Sequence, residues 1–465
     1  MSQSVPRADW LTTHAQAFGA FLAISLLIRL ALAPYGGHFF DIPTFQFWAF
    51  HLIRDPLDEF YNLRQQYLPE QDHLPGDLWI LIFLTRFYQT FFAPDLNVTT
   101  PGFVWLLKLV PAIADIGVGL MLYLIGGRLQ HRNAGFVAAA LFLLNPASIV
   151  LTSVWGQWDS VSAFFALVAL WCFLTGRLVW VLPALTYATL IKPQFGALLP
   201  LLALAYTFQF LRLALSRRDS PDGGLSVGAA VAPVIAGTVL TLLLAAAVLL
   251  PFGVGIFGVG HWSIVERMRI AVDLNKFTTL SAFNLWGAIT PPTQAFHPDD
   301  VPFLFGVTYQ VWGTVLTLAA YGFILVRYAR HPTTQTLLWA ALAIMLTLYV
   351  LPTRIHERYM LPALVLAALP AVTDRWYRRL FVVMSFTYLV NLLLIYTAPD
   401  PPAILDGART SEVFWRVFSL ANVAVLAVML YRGPWSAPAQ PDLEPPDPKE
   451  APPEDAGGVA LGVPS

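Results

Sequence analysis

The sequence predicts an all-α integral membrane protein, a polytopic bundle of roughly 11 to 13 transmembrane helices. Of its 465 residues, 57% are hydrophobic and only 12% are charged, which is half of the roughly 25% charge of soluble proteins. Long apolar stretches recur along the whole chain, as expected of a chain that crosses a bilayer repeatedly. The net charge of −1 argues against a nucleic-acid partner, which normally requires a basic surface.

The apolar stretches set the order of the predicted helices. The first is long and is not closed by a small-residue cleavage site, so it is predicted to be a membrane span rather than a cleaved signal. Several are shorter than the ~20 residues of a perpendicular span, so tilted or partly sunken helices are expected. The stretches are 15–35, 101–125, 134–153, 160–176, 178–191, 195–211, 227–251, 303–327, 334–352, 359–373, 380–397 and 413–431.

A further apolar piece, residues 78–93, either spans the membrane or lies flat in the interface as an amphipathic helix. The positive-inside rule favours the flat arrangement with a cytoplasmic N-terminus. One group of basic residues then falls on the cytoplasmic side as a whole: Arg128, Arg132, Arg177, Arg212, Arg217, Arg218, Arg327, Arg330, Arg375, Arg378 and Arg379.

This orientation divides the chain into three parts. Residues 1–14 are a cytoplasmic N-terminus, and residues 15–431 form the transmembrane bundle. Its long extracytoplasmic loops, about 36–100 and 252–302, are expected to carry interfacial helices. Residues 432–465 are rich in proline and acidic groups and are predicted to be a disordered cytoplasmic tail.

Five polar segments interrupt the apolar stretches, and the predicted orientation places all of them on the outer face. They are HFFDIPTFQFW (38–48), WGQWDS (155–160), IKPQ (191–194), FTTLSAFNLW (277–286) and TRIHERYMLP (353–362). The positive-inside rule alone does not require this convergence, so it indicates one shared site.

Each segment also has a structural explanation. Tryptophan and tyrosine gather at membrane interfaces irrespective of function, and this alternative applies to Trp155, Trp158, Trp286 and Tyr359. Asp159, assisted by Ser160, could cap the helix that it opens, and Lys192 could extend from a helix end toward water. Residues 356–358 are harder to explain in this way, because three adjacent ionisable groups beside apolar spans require partners or a water-filled cavity.

Three charges fall within predicted spans. Lys108 and Asp115 are seven residues apart and therefore share one helix face. We expect a structural role for Asp115, whereas Lys108 lies nearer the outer end and is a site candidate. Arg29, near the end of the first span, is expected to reach the interface.

Together, the outer-loop acid Asp41, WGQWDS, KPQ, NLW and HERY resemble the GT-C class of polytopic glycosyltransferases. The likeness is greatest to a bacterial mannosyltransferase-like branch, with GPI mannosyltransferases and glucosyltransferases of the endoplasmic reticulum as more distant relatives. It covers about residues 15–431. It implies a GT-C-like bundle that transfers a hexose from a polyprenyl- or dolichyl-phosphate donor to a glycan, lipid or protein acceptor, with inversion at C1. Mannose is favoured over glucose, and the implied location is the bacterial inner membrane, with the active site on the extracytoplasmic side.

The chemistry of such a transfer assigns roles to the polar residues. A carboxylate must take the proton of the acceptor hydroxyl, and Asp41 matches the family's acidic position. Cations must hold the phosphate as its charge grows, and Arg358, Lys192 and Arg354 are the candidates. The residues expected to bind donor or acceptor groups are His356, Glu357, Gln157, Asp159, Trp155, Trp158, Gln194, Asn284 and Lys108. Either Trp155 or Trp158 is expected to stack on a pyranose ring.

No cofactor is predicted. Some relatives carry Asp-x-Asp on the first outer loop, whereas this chain has Asp41-Ile42-Pro43, and no Cys/His cluster has metal-ligand spacing. Two other functions remain open: a transporter or flippase of a lipid-linked sugar, and an O-antigen polymerase or ligase. A secondary transporter usually shows related halves, and no internal repeat is evident here.

Overall fold

The structure is a computed structural model, and it describes residues 7–62, 71, 73–216, 227–255 and 262–435. The tail from residue 436 onward, residues 1–6 of the predicted N-terminus, and Arg217 and Arg218 of the predicted basic group lie outside the described residues.

The described part of the chain is built from α-helices. They are α1 Arg7–Leu32, α2 Asp41–Arg54, α3 Pro75–Phe91, α4 Pro101–Leu129, α5 Arg132–Leu143, α6 Pro146–Ile149, α7 Asp159–Leu174, α8 Val181–Ile191, α9 Leu199–Ser216, α10 Val227–Leu249, α11 Ile264–Asp273, α12 Leu285–Ile289, α13 Tyr309–Arg330, α14 Thr334–Val350, α15 Leu361–Ala371, α16 Arg375–Tyr396, α17 Ala403–Thr410 and α18 Glu412–Arg432.

Shorter elements connect or extend these helices. The 3₁₀ turns are Leu57–Asn62, Leu178–Trp180, Pro193–Leu198, Leu250–Phe252 and Glu357–Met360, and Val150–Trp155 is a π-helix. Two strand pairs lie in the second long loop: β1 Val254–Gly255 is parallel to β2 Trp262–Ser263, and β3 Pro302–Leu304 is antiparallel to β4 Val307–Thr308.

Each predicted apolar stretch contains a helix, and the protein is an all-α, multi-pass membrane protein. Among the described residues, seven helices are long and apolar enough to span, or eight if the bent pair Arg132–Leu143 and Pro146–Trp155 counts as one span. Three shorter apolar helices, Asp159–Leu174, Leu178–Ile191 and Thr334–Val350, fall below that length. A crossing by the shorter helices, which the predicted 11 to 13 spans require, stays a prediction.

The shortness of several helices follows from their place in the bundle. All 11 residues of α15 are buried, and nearly every residue of α14 is buried as well. An 11-residue helix is about 16 Å long, roughly half of the ~30 Å hydrocarbon layer. Outer helices face away from the core with apolar side chains such as Leu27, Leu318 and Phe386, which are all more than half exposed.

Residues 78–93 lie almost entirely within α3, which is not among the candidate spans. Two of its phenylalanines, Phe83 and Phe91, are about 70% exposed, whereas Leu78, Leu81 and Leu84 are buried. A helix with one buried and one exposed apolar face is compatible with a position in the membrane interface. The flat orientation of this segment stays a prediction.

The expectation that Arg29 reaches the interface is wrong. Its side chain is fully buried, and Nε donates to Asp115 Oδ2 at 2.6 Å. Asp115 Oδ2 also accepts from Thr152 Oγ1 at 2.9 Å, and Oδ1 accepts from Ser160 Oγ. The remaining guanidinium hydrogens reach backbone carbonyls and Ser148 Oγ. An isolated buried charge is costly, and here the pair is satisfied by joining α1, α4, the π-helix and α7.

Candidate active site

The segment 155–160 is a sharp turn between two helices. The π-helix Val150–Trp155 ends at Gly156, which is left-handed with φ 95°. A Cβ at this glycine would lie 2.9 Å from Cδ1 of Ile42, so the turn needs both the conformational freedom and the small size of glycine. α7 begins three residues later at Asp159. The turn therefore packs directly against the first residues of α2.

Asp41 is the first residue of α2, and the turn supplies hydrogen bonds to one of its oxygens. Trp155 Nε1 and Gln157 Nε2 each donate to Asp41 Oδ2 at 2.6 Å, and His38 Nδ1 lies 3.2 Å from the same atom. Burial alone would raise the pKa of Asp41, but the Arg358 guanidinium and His38 outweigh it and hold that pKa below its usual value. Oδ1 makes no hydrogen bond to the described residues, which leaves one ionised oxygen free.

The turn Glu357–Met360 places Arg358 beside this carboxylate. Arg358 Nη1 donates to Glu357 Oε1 at 3.2 Å and lies 3.3 Å from His356 Nδ1. Its Nε is buried and has no hydrogen-bond partner among the described residues. Burial opposes the charged guanidinium, but Asp41 and Glu357 outweigh it and raise the pKa of Arg358 above its usual value. The site therefore holds a permanent cation with unused hydrogen-bonding capacity.

A second cation, Lys192, follows the last residue of α8. It is 5% exposed, and its side-chain ammonium makes no hydrogen bond or ion pair to the residues that the structure describes. Burial would lower the pKa of Lys192, but Asp159 and Tyr359 outweigh it and raise that pKa above its usual value. Both carboxylate oxygens of Asp159 are buried without a hydrogen-bond partner, as is Nε2 of Gln194.

Two adjoining cavities open onto these groups. A cavity of about 180 Å³ lies over Asp41 and is lined by Phe40, Asp41, Thr44, Phe45, Trp48, His73, Gln157, Leu274, Asn275, His356 and Arg358. A larger one of about 460 Å³ contains Lys192 and Gln194 and has a mainly apolar wall that includes Met268, Leu280, Met345, Leu348 and Ile355. His73, Asn275 and His356 line both cavities and mark their junction.

The structure thus brings together residues from all five predicted segments, with the apolar Leu280 as the contribution of the segment 277–286. Asp41, Gln157, Lys192 and Gln194, with His356 and Arg358, all line one or other of the joined cavities. Glu357 does not line either cavity. It is buried beneath them, and although burial would raise its pKa, His356 and Arg358 outweigh that effect and lower it. The convergence expected from the predicted orientation is therefore seen as a contiguous pair of cavities.

The expectation that Trp155 or Trp158 stacks on a sugar ring is wrong. Both are fully buried. Trp155 stacks on the His38 ring at 4.2 Å, and Trp158 stacks on Phe45 at 5.1 Å. The interfacial-belt alternative fails for the same reason, because neither indole reaches the surface. Trp286 is likewise buried, with Nε1 donating to the Leu351 carbonyl at 2.7 Å.

Arg354 is not available to a phosphate in this structure. Nε and Nη2 donate to the two oxygens of Asp299 at 2.7 and 3.1 Å, and Nη1 donates to Asp273 Oδ1 at 2.8 Å. The planar guanidinium fork is already filled by carboxylates from the second long loop. Arg354 therefore fastens that loop over the site rather than completing a phosphate clamp.

Two other predicted binding residues have structural contacts instead. Asn284 is the N-cap of α12: Oδ1 accepts from the Gly287 N–H at 2.9 Å, and Nδ2 donates to the Pro352 carbonyl at 3.3 Å. Lys108 is buried and donates to the carbonyls of Tyr35 and Val154. Neither lines the joined cavities, so these two assignments are wrong in this structure.

Asp159 does not cap its helix. The N-cap position of α7 is Trp158, and no side chain accepts a hydrogen bond there. Ser160 Oγ donates to Asp115 rather than to the helix end. The carboxylate of Asp159 is therefore left to interact by charge with Lys192, which it helps to keep protonated.

A histidine–aspartate pair at the junction is not among the residues predicted from the sequence. His73 Nδ1 is hydrogen-bonded to Asp77 Oδ2, in the first turn of α3. The His-x-x-x-Asp spacing, in a segment predicted to lie on the outer face, was the signal that could have found it. His38 was missed as well, although it stands three residues before Asp41.

Among the residues that the structure describes, no group of three or more His, Cys, Asp and Glu side chains is arranged to hold a metal ion. The prediction that no cofactor takes part stays a prediction, and the sequence leaves metal dependence undecided.

Comparison with known proteins gives one kind of similarity. No protein-family model and no curated protein matches the chain. Seven chains of solved structure do match. One of them is the apo oligosaccharyltransferase of Archaeoglobus fulgidus, with a TM-score of 0.40 and 14% sequence identity. The match covers 89% of this chain and 55% of that one, so this chain spans about half the length of that enzyme.

Proposed function

We propose that this protein is a GT-C-like membrane glycosyltransferase that moves a hexose from a polyprenyl-phosphate donor to an acceptor hydroxyl. The observation that carries the proposal is the pair of joined cavities. The smaller one is lined by Asp41, with its free carboxylate oxygen, and by the cation Arg358, and the larger one is lined by the cation Lys192. The acceptor is a glycan, lipid or protein, and the site faces the extracytoplasmic side.

The shapes of the two cavities suit the parts of such a donor. The mainly apolar wall of the 460 Å³ cavity suits the first isoprene units of the lipid. The 180 Å³ cavity is smaller than the roughly 300–1,000 Å³ of sites for drug-sized ligands, which suits a single sugar ring. The phosphate then lies at the junction, between Arg358 on one side and Lys192 on the other.

The reaction is a direct displacement at C1 of the sugar. The acceptor oxygen forms a bond to C1, its proton passes to Oδ1 of Asp41, and the C1–O bond breaks with its electron pair moving to the phosphate. General-base assistance of this kind is worth typically about 10²–10⁴-fold in rate. Arg358 and Lys192 stabilise the charge that grows on the leaving phosphate. One displacement inverts the configuration at C1.

Arg358 links donor binding to the basicity of Asp41. In the empty site Arg358 lowers the pKa of Asp41, and such a carboxylate is a weak base. A bound phosphate shares the positive charge of Arg358 and so weakens its effect on Asp41. The proton affinity of Asp41 therefore rises when the donor is in place.

The test is consumption of radiolabelled polyprenyl-phosphate-mannose or polyprenyl-phosphate-glucose by protein in lipid vesicles, with a membrane extract supplying acceptors. We expect one sugar, mannose by preference, to be transferred, with the lipid phosphate as the second product. Asp41→Asn should slow transfer by about 10²–10⁴-fold. Asp58→Asn should not slow it, because Asp58 is exposed and lines neither cavity.

Full activity of folded Asp41→Asn would remove Asp41 as the base. Movement of the intact donor across the vesicle membrane, without transfer of the sugar, would instead identify a lipid-linked sugar transporter.

A further inference from the structure

The His73–Asp77 pair lies at the junction of the two cavities, where His73 is one of three described residues that line both. Nδ1 of the His73 ring is bound to Asp77 Oδ2. No hydrogen bond from Nε2, on the opposite side of the ring, reaches a described residue. Asp77 is 1% exposed, and its second oxygen is buried without a hydrogen-bond partner.

The ring is held in place on its other sides. Trp48 packs edge-on against it at 4.9 Å, and Phe45 does so at 6.2 Å. The carboxylate is fixed by a close approach of α3 to the end of α8. A Cβ on Gly76 would lie 2.5 Å from the Leu190 carbonyl carbon, so any larger residue would push α3 away.

We propose that His73, oriented by Asp77 and protonated when the phosphate binds, is a third donor to the phosphate of the lipid-linked sugar. Nε2–H donates a hydrogen bond to a phosphate oxygen at the junction, between Arg358 and Lys192. The inference rests on the proposed function for the identity of the donor. It adds His73 as a binding residue and Asp77 as a positioning residue.

The chemistry of the step favours a cation at this place. Before transfer the phosphate is a diester with one negative charge, and afterwards it is a monoester that accepts a second. A hydrogen bond from an imidazolium strengthens as that charge appears, because charge-assisted hydrogen bonds are about twice as strong as neutral ones. No proton needs to leave His73 for the C1–O bond to break.

The charged groups around His73 determine how its role responds to pH. They are Asp77 on α3, Asp41 on α2, Lys192 after α8, and His356 and Arg358 in the turn before α15. Asp41 stays ionised at neutral pH, while Lys192 and Arg358 stay protonated. Imidazoles in general change charge between about pH 5 and 8, so the role of His73 is tested over that range.

The experiment measures binding of polyprenyl phosphate alone to the purified full chain between pH 5 and 8.5. The ratio of wild-type affinity to that of His73→Asn should fall as pH rises, because the second ionisation of the phosphate monoester, at about pH 6, affects both proteins alike. Asp77→Asn should move that fall to lower pH, because the imidazolium loses its carboxylate. His73→Asn, which keeps a group toward Asp77 but none at Nε2, should weaken binding at pH 6 by about 10- to 100-fold, the value of one hydrogen bond to a charged group.

His73→Gln restores a neutral donor near the Nε2 position, so its binding should be intermediate and less dependent on pH than that of the wild type. His356→Gln removes the other cavity-lining imidazole and so its contribution to the pH dependence of binding. In this background, Asp77→Asn should still move the pH dependence of binding to lower pH. The matched control is His51 with Asp55, another i,i+4 pair at 2.5 Å, which lines neither cavity. His51→Asn and Asp55→Asn should bind like the wild type.

Four outcomes separate the proposals. Wild-type binding that Lys192→Met weakens but the His73 and Asp77 variants leave unchanged would overturn the dyad and retain the proposed function. Equal losses of binding in the His51→Asn and Asp55→Asn controls would show that the loss is not specific to the site. That result would also overturn the role of the His73–Asp77 pair. Failure of the folded wild type to bind polyprenyl phosphate would overturn both the role of the His73–Asp77 pair and the proposed function. Equally strong binding of inorganic phosphate would identify a free anion, rather than a lipid phosphate, as the ligand.

Discussion

Two groups of charged residues are buried among the apolar helices, and they differ in whether their hydrogen bonds are satisfied. In the closed cluster, defined as Arg29, Asp115, Ser148, Thr152 and Ser160, no buried polar side-chain atom lacks a partner. In the open cluster, defined as Asp41, Asp159, Lys192, Glu357 and Arg358, both oxygens of Asp159 and Nε of Arg358 have none.

This difference distinguishes buried charged groups that stabilise the fold from buried charged groups that are available to bind a ligand. A buried ion pair is stable only when its remaining hydrogen-bonding atoms are satisfied, and the closed cluster meets that condition with the protein's own atoms. The open cluster meets it only in part, and three of its members, Asp41, Lys192 and Arg358, line the cavities. A phosphate with several acceptor oxygens would supply partners for Arg358 and Lys192.

The largest expected difference between the clusters is in catalysis. Asp41→Asn should reduce the rate of sugar transfer by about 10²–10⁴-fold, because the amide cannot accept the hydroxyl proton. Initial rates with saturating labelled donor measure it, and the unfolding temperature in detergent should stay close to that of the wild type. A similar loss of rate in a folded Asp115→Asn variant would erase the distinction between the clusters.

The closed cluster should dominate stability. Arg29→Met leaves Asp115 as an uncompensated buried charge, and removal of one partner from such a pair costs about 3–5 kcal/mol. Thermal unfolding in detergent should show a large decrease, and the double variant Arg29→Met with Asp115→Leu should recover much of it. An unfolding temperature unchanged by Arg29→Met would refute the structural role of the pair.

Asp159→Asn should shift pH dependence more than stability. The carboxylate raises the pKa of Lys192, so its removal lowers that pKa, and the ammonium loses its proton at a lower pH. The alkaline limb of the pH profile of donor affinity should therefore lie at lower pH in the variant than in the wild type. The acid limb should be unchanged. The effect on unfolding should be smaller than that of Arg29→Met, since no hydrogen bond of Asp159 is broken.

A titration of donor affinity from pH 7 to 10 measures this shift, with Asp58→Asn as the control. An alkaline limb that stays in place would show that Asp159 does not act on Lys192.

The smallest expected effect is at Asn284. Loss of an N-cap side chain costs about 0.5–2 kcal/mol, so Asn284→Ala should lower the stability of the fold by that amount. Transfer activity should change only in proportion to the folded fraction. A change in the KM for the donor, with stability intact, would return Asn284 to the binding site.

The sequence was informative about the helices and the convergence of segments, because both depend on strong one-dimensional signals. Apolar runs located the helices, and the bias of arginine toward one side placed Asp41, Gln157, Lys192 and Arg358 together. What each side chain touches depends on partners distant in sequence. The sequence suggests that Arg354 binds phosphate, because nothing in it indicates that Asp299, 55 residues earlier, accepts hydrogen bonds from the same guanidinium.

The aromatic residues illustrate the same limit. Trp155 and Trp158 are candidates for stacking on a sugar ring when only the sequence is known, because the sequence does not distinguish an exposed indole from one stacked on His38 or Phe45. The Arg29–Asp115 pair was missed for a comparable reason, since its members lie 86 residues apart on separate helices. Spacing within one segment could have revealed the His73–Asp77 pair, whereas neither of these contacts had a local signal.

The central claim, that the open cluster is the donor site, is tested most directly by a structure of the protein with bound polyprenyl-phosphate hexose. The account predicts the phosphate between Arg358 and Lys192, the sugar in the 180 Å³ cavity with C1 toward Asp41, and the lipid along the apolar wall of the 460 Å³ cavity. A groove of about 1010 Å³ bordered by Arg177 and Trp180 offers an alternative apolar site with a cation. A donor seated there, with the joined cavities empty, would contradict the account.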